Sequence, residues 1–144
     1  MKAYVRKAGR EKEFEIDSAG TYSGHSGALP DARMQKHAAL RGYVLDHRAR
    51  SFYASADFAQ FDRIIGMDDS NIADLRRLAE NEEERGKICK MTDFCRKYSC
   101  AEVPDPYYGG TEGFELVLDL LEDGIEGLLK DLDADEKDNY SEGR

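Results

Sequence analysis

The stretch Val103-Pro104-Asp105-Pro106-Tyr107-Tyr108-Gly109-Gly110 sets one carboxylic acid between two prolines and follows it with two aromatic rings and two glycines. Each proline disfavours helical backbone in the residue before it, so Val103 and Asp105 are expected to be extended. The glycines permit a sharp turn into the next element. Asp105 is thereby held on a stiff loop beside Tyr107 and Tyr108, which suits a proton-transferring acid that must meet an aromatic substrate. A rigid turn with solvent-exposed tyrosines is the plainer reading of the same residues. The choice rests on what the rest of the chain places around this loop.

The elements that must position it are those of one ordinary globular domain. The 144 residues are enough to bury a real core. The net charge of −9 and pI near 4.9 argue against nucleic acid and anionic membranes as partners. Any anion site must therefore be local, built from backbone N–H groups or a single arginine. No apolar run is long enough for a membrane helix or a signal-peptide core. Cys89, Cys95 and Cys100 are odd in number and show no C-x-x-C spacing, and His25, His37 and His47 form no H-x-x-x-H pair. No metal site or cofactor is expected, and reduced thiols in the cytoplasm are the default.

In chain order, residues 1–10 read as helix, with Ala3, Tyr4 and Ala8 on one side. Phe14 and Ile16 alternate with acids, the pattern of a short strand, before the polar turn Asp17-Ser18-Ala19-Gly20-Thr21. Pro30-Asp31 opens a helix that Gly42 closes. A link through His47 comes next, then a brief helical turn capped by Ser55 or Asp57 and carrying Phe58 and Phe61. Arg63–Met67 reads as a buried strand, and Asp68-Asp69-Ser70-Asn71 caps a helix with Ile72, Leu75 and Leu78 inward. Glu80–Arg85 is a charged helix end or loop, and Lys87–Met91 a weaker strand. After the tyrosine loop, Phe114, Val117, Leu118, Leu121, Ile125 and Leu128 obey the i, i+3, i+4, i+7 rule of an amphipathic helix. Residues 131–144 hold six acids against two bases and lack apolar periodicity, so a domain over 1–130 with a disordered acidic tail over 131–144 is expected.

Strands alternating with helices indicate an α/β fold, a single-domain doubly wound parallel sheet with helices on both faces. Sites in such sheets lie at the carboxyl ends of the strands. Asp17-Ser18, Asp68–Asn71 and the Asp105 loop all come after expected strands at that edge and should converge.

Four segments in register, Asp17–Thr21, Asp57–Asp62, Met67–Asn71 and Val103–Gly110, resemble the low-molecular-weight protein tyrosine phosphatases, and the likeness runs from Phe14 to about Leu129. The resemblance implies hydrolysis of protein tyrosine phosphate, or of a small aryl phosphate, through a cysteinyl-phosphate intermediate. A phosphate loop at a helix N-terminus and an arginine would hold the equatorial oxygens. By position Asp105 would be the general acid and then the general base. Tyr107 and Tyr108 would wall the substrate ring. Ser18, His47, Asp68 and Asn71 would support the phosphate loop through hydrogen bonds. Helix capping alone also accounts for Asp68 and Asn71, and His47 is raised above an ordinary surface histidine only by the resemblance.

The C-x5-R signature that the resemblance implies is not in these residues. The sixth residue after Cys89 is Cys95, after Cys95 is Ala101, and after Cys100 is Pro106. Met1 thus reads as an internal methionine of the first helix, with the first strand and the nucleophile loop upstream of it. In the fold that the resemblance implies, that strand lies mid-sheet, so the shortened chain is expected to be inactive, poorly stable and prone to self-association. Two other functions fit the same residues: a non-catalytic relic or binding module, and a thioredoxin-coupled arsenate reductase using the three cysteines.

Overall fold

The computed structural model describes residues 1–21, 27, 29–104 and 110–142, without the side chains of 110, 111 and 136–142. The chain divides into two compact units, Met1–Ile64 with Asp74–Lys87, and Ile65–Ala73 with Ile88–Arg144.

In the first unit, helix α1 (Lys2–Lys7) ends at Ala8, and Gly9 turns the chain with φ of 70°. α1 buries Val5, while Tyr4 packs against Tyr43 at 6.4 Å between ring centroids. The expected strand at Phe14 and Ile16 does not form. Phe14 is extended (φ −130°, ψ 135°), but residues 14–19 carry no ladder. Alternation makes a segment fit for a sheet, and a strand exists only where a neighbour takes its backbone hydrogen bonds. Here the pairing falls later, at an isolated parallel bridge between Gly20 and Ser51.

Helix α2 (Ala32–Leu40) begins and ends as its residues dictate. The Asp31 carboxylate accepts the Arg33 N–H at 2.8 Å. At the other end the Tyr43 N–H reaches the Ala38 carbonyl and the Gly42 N–H that of Ala39, with Gly42 at φ 84°. That is a Schellman ending, which needs a residue tolerant of positive φ. Helix α3 (Ala54–Gln60) departs from expectation at its start. Neither Ser55 nor Asp57 is the cap: Tyr53 is, and Asp57 lies inside the helix with its carboxylate turned back to the Tyr53 N–H at 2.8 Å. Phe58 is buried edge-on to Phe52 and Phe61 is half-buried.

Strand β1 (Ile64–Gly66) leads into helix α4 (Asp69–Leu78). Leu75 of α4 is buried, but Leu78 is exposed and Ala79 takes the inward place just after the helix. Asn81 then caps a separate helix α5 (Glu82–Lys87), its side-chain oxygen accepting the Glu84 N–H at 2.8 Å. Strand β2 (Ile88–Lys90) pairs with β1, and the helical crossover between them is what a parallel pair requires.

The second unit is built on helix α6 (Gly110–Glu142), which packs on the tight 3-10 turn Met91–Phe94. Phe114, Val117, Leu118, Ile125 and Leu128 are buried as the periodicity requires. The full burial of Leu120, with Leu121 only half-buried, does not come from that stripe. A second buried stripe explains it: Leu120, Asp123, Gly124 and Gly127, spaced as one helix face. A Cβ on Gly127 would lie 1.8 Å from the Phe94 carbonyl oxygen, and one on Gly124 would lie 2.9 Å from Met91 Sδ. The missing side chains let the turn approach the helix at backbone distance. Past this stripe the helix continues through the acidic segment, where composition alone pointed to disorder, as far as Glu142. Extending an existing helix avoids the cost of nucleation, so weak periodicity does not end it.

Candidate active site

In the second unit the turn from β1 into α4 is a closed hydrogen-bond figure. Asp68 is the helix N-cap, its Oδ1 accepting the Asn71 N–H at 2.7 Å, and Asn71 Oδ1 in turn accepts the Met67 N–H at 3.1 Å. Gly66 makes room for it, because a Cβ there would lie 2.7 Å from Ile72 Cδ1 and 3.2 Å from Asn71 Cβ.

The same turn fastens the segment that runs into the proline loop. The Met67 carbonyl accepts the Val103 N–H at 2.9 Å, and Glu102 Oε2 accepts the Asp69 N–H at 2.8 Å. Lys90 at the end of β2 pairs with Asp69 at 2.9 Å. Val103 is buried, as an extended apolar residue ahead of a proline should be. Asp105, Tyr107 and Tyr108 lie outside the described residues; what the structure places is the anchor just before them. Glu102 was not singled out from the sequence, and a lone glutamate between Ala101 and Val103 offered no signal.

In the first unit Ser18 is exposed, and its N–H donates to Asp17 Oδ1 at 2.8 Å. Asp17 Oδ2 accepts Arg50 Nε at 2.9 Å, and the two terminal nitrogens of Arg50 reach Asp57 at 3.0 and 3.1 Å. The Arg50 carbonyl accepts the Gly20 N–H at 2.8 Å, so the Asp17–Gly20 turn and the Arg50 segment are tied by both backbone and side chain. Burial by itself would raise the Asp57 carboxyl, but the Arg50 guanidinium and the Tyr53 N–H outweigh it and hold it below the usual carboxylate range. Arg50 is correspondingly raised, first by its hydrogen bond to Asp57. His47 is exposed on the segment before Arg50. Of the residues expected to support a site, Asp68 and Asn71 meet directly, and Ser18 adjoins the Asp17–Arg50–Asp57 chain. Sequence reasoning missed that chain, although Asp57 opened one of the four motifs and Arg50 ended the link through His47.

Among the described residues no group of three or more histidines, cysteines and acids is placed to hold a metal ion. No helix among them is long and apolar enough to cross a membrane.

These motifs and this architecture agree with what is known of other proteins. A family model described as low molecular weight phosphotyrosine protein phosphatase matches residues 1–138. The chain belongs to that family. Its likeness to the low molecular weight protein-tyrosine-phosphatase of Streptomyces coelicolor is 40% identity over 135 residues, covering 90% of this chain and 79% of the relative. Among solved structures, the protein tyrosine phosphatase of Entamoeba histolytica superimposes with a TM-score of 0.89 at 41% identity, covering 94% of this chain and 85% of the other. YfkJ of Bacillus subtilis gives a TM-score of 0.83 at 34% identity, covering 93% and 82%. The α/β fold with a parallel sheet is that of the family, and the family's activity is that of a hydrolase acting on protein tyrosine phosphate.

Proposed function

We propose that this chain supplies the general acid and the frame of a phosphotyrosine phosphatase in which Asp105 protonates the departing phenolate. The observation that carries this reading is the double attachment of Glu102 and Val103 to the β1–α4 turn, which fixes the backbone entering Asp105 against a built hydrogen-bond figure. A general acid must be delivered to one place, and a loop stiffened by two prolines and anchored at its entrance does that.

In the proposed reaction a cysteine thiolate attacks phosphorus, the P–O bond to the aryl group breaks, and the Asp105 proton passes to the phenolate oxygen. The Asp105 carboxylate then takes a proton from water as that water attacks phosphorus. The P–S bond breaks, giving inorganic phosphate and restoring the thiolate. Tyr107 and Tyr108 stack against the ring of a phosphotyrosine side chain or a small aryl phosphate. Asp68 and Asn71, with Ser18 and His47, support the phosphate-binding loop. The three thiols suit a reducing compartment, and the cytoplasm is the location we propose.

Cys89, Cys95 and Cys100 do not fit the nucleophile. None has an arginine six residues on, and the Cys95 thiol is pushed up by burial and by Asp123, away from the thiolate the attack needs. By themselves the 144 residues are therefore proposed to be inactive.

The test is hydrolysis of 4-nitrophenyl phosphate and of a phosphotyrosine peptide, by the 144-residue chain and by the same chain preceded by a C-x5-R segment. The extended protein should be active and inhibited by vanadate, and Asp105→Asn in it should lower kcat roughly 10²–10⁴-fold. Full activity of the 144-residue chain, or of the Asp105→Asn enzyme, overturns the assignment.

A further inference from the structure

We propose that Cys95 and Cys100 form a dithiol site that exchanges with low-molecular-weight disulfides and closes into a disulfide across the loop between them. Both thiols belong to the second unit, at the two ends of a loop whose base is clasped. The Thr92 hydroxyl, buried, donates to the Ala101 carbonyl at 2.9 Å, and the Cys95 N–H donates to the Thr92 carbonyl at 3.2 Å. Cys95 is thus tied to one side of the clasp and Cys100 is the neighbour of the other.

The chain between them is bent tightly. Asp123 of α6, 4% exposed, accepts the successive N–H groups of Arg96, Lys97 and Tyr98 at 2.9 to 3.1 Å. Three consecutive amides converging on one carboxylate curl the backbone around it. That turn lies between the two halves of the clasp, where Cys95 and Ala101 both bond to Thr92.

Neither thiol is an inert core group. Cys100 is exposed, its Sγ donating to the Glu102 carbonyl at 2.9 Å. Cys95 is half-buried, its Sγ donating to the Leu120 carbonyl at 3.5 Å. Burial first, then the Asp123 charge and to a smaller extent Cys100, push the Cys95 thiol up. Those surroundings assign the roles: Cys100 reacts first and Cys95 closes the bond.

With glutathione disulfide as the oxidant, the Cys100 thiolate attacks one glutathione sulfur. The S–S bond of the reagent breaks, and the departing glutathione thiolate takes up a proton. Cys95 then gives its proton to solvent and attacks Cys100 Sγ, releasing the second glutathione as thiol. Two protein thiols are oxidised and one glutathione disulfide is reduced to two thiols. Because Cys95 must ionise against burial, closure is the slower step and accelerates as pH rises. The proposal does not depend on the phosphatase reading, since it uses no residue assigned to catalysis.

The sequence provides a direct assay. Trypsin cleaves after Lys87, Lys90, Arg96 and Lys97, which places Cys89, Cys95 and Cys100 in three separate peptides. The folded 144-residue protein is incubated with glutathione disulfide at several pH values, alkylated, digested and mapped by mass. The expected product joins the Met91–Arg96 peptide to the one beginning at Tyr98, more rapidly at higher pH. Cys95→Ser should stop at a glutathione adduct on Cys100, and Cys100→Ser should give no such link. Linkage chiefly through the Cys89 peptide, adducts that never close in the wild-type chain, or no modification at all would each overturn the proposal.

Discussion

Asp57 sits inside α3, 4% exposed, and receives both terminal nitrogens of Arg50 while also accepting the Tyr53 N–H. Arg50 reaches Asp17 at the same time, so one guanidinium joins a buried acid to an exposed one. The two acids are alike in chemistry and differ in solvation, and that difference sets what each contributes.

Asp57→Ala leaves the Tyr53 N–H and the inner side of Arg50 without their acceptor, and should lower stability by about 2–4 kcal/mol. Asp17→Ala breaks a solvated contact and should cost roughly 0–1 kcal/mol. Urea unfolding of the two variants, compared at constant m-value, measures the difference. Equal losses would mean that burial of Asp57 does not decide the strength of the pair.

Acid sensitivity should come in large part from Asp57 and Asp123. Burial opposes ionisation of both. For Asp57 the Arg50 guanidinium outweighs it, and for Asp123 the N–H groups of Arg96, Tyr98 and Lys97 do. Both carboxyls are therefore below their unfolded value, which is about 3.9. A depressed folded pKa gives stability that is complete above the unfolded value and is lost as pH falls through the folded one. Unfolding free energy should hold level near neutrality and drop below about pH 4. In Asp57→Asn/Asp123→Asn protein the starting stability should be lower and the acid-side slope shallower.

Gly127 and Gly86 should respond oppositely to alanine. A methyl at Gly127 collides with the Phe94 carbonyl, a backbone atom that cannot swing aside, so Gly127→Ala should destabilise by about 3 kcal/mol. A methyl at Gly86, inside α5, meets nothing within 4 Å, and Gly86→Ala should stabilise by about 0.5–1 kcal/mol. Thermal unfolding midpoints moving in opposite directions are the expected result.

Asp68 and Asn71 should not act independently. Asp68→Ala removes a helix cap, at a cost of about 1 kcal/mol. Asn71→Ala strips the acceptor from the Met67 N–H, at about 1–2 kcal/mol. Because each holds the same turn, the double variant should lose less than the sum, by at least about 0.5 kcal/mol in a double-mutant cycle. Strict additivity would show that the turn is not one cooperative figure.

Much of this molecule was legible in its residues because the signals were local. Asp31 and Gly42 delimit α2 by cap chemistry, and the 114–128 stripe marks the apolar face of α6 by period. The four motifs identified the family, and the match over residues 1–138 bears that out. Tertiary structure decided what depends on partners distant in sequence. Residues 14–16 alternate like a strand yet form no ladder, and the backbone bridge falls instead at Gly20 and Ser51. The Leu120–Asp123–Gly124–Gly127 face is buried although half of it has no side chain. Hydrophobicity cannot report a surface whose value lies in letting backbone approach backbone. Asp57 reads as a cap until Arg50 arrives from outside the helix, and Glu102 reads as any exposed acid until the start of α4 supplies its donor. Local propensity is written residue by residue, whereas the ionisation and hydrogen bonding of a side chain are set by whichever groups the fold brings within about 3 Å of it.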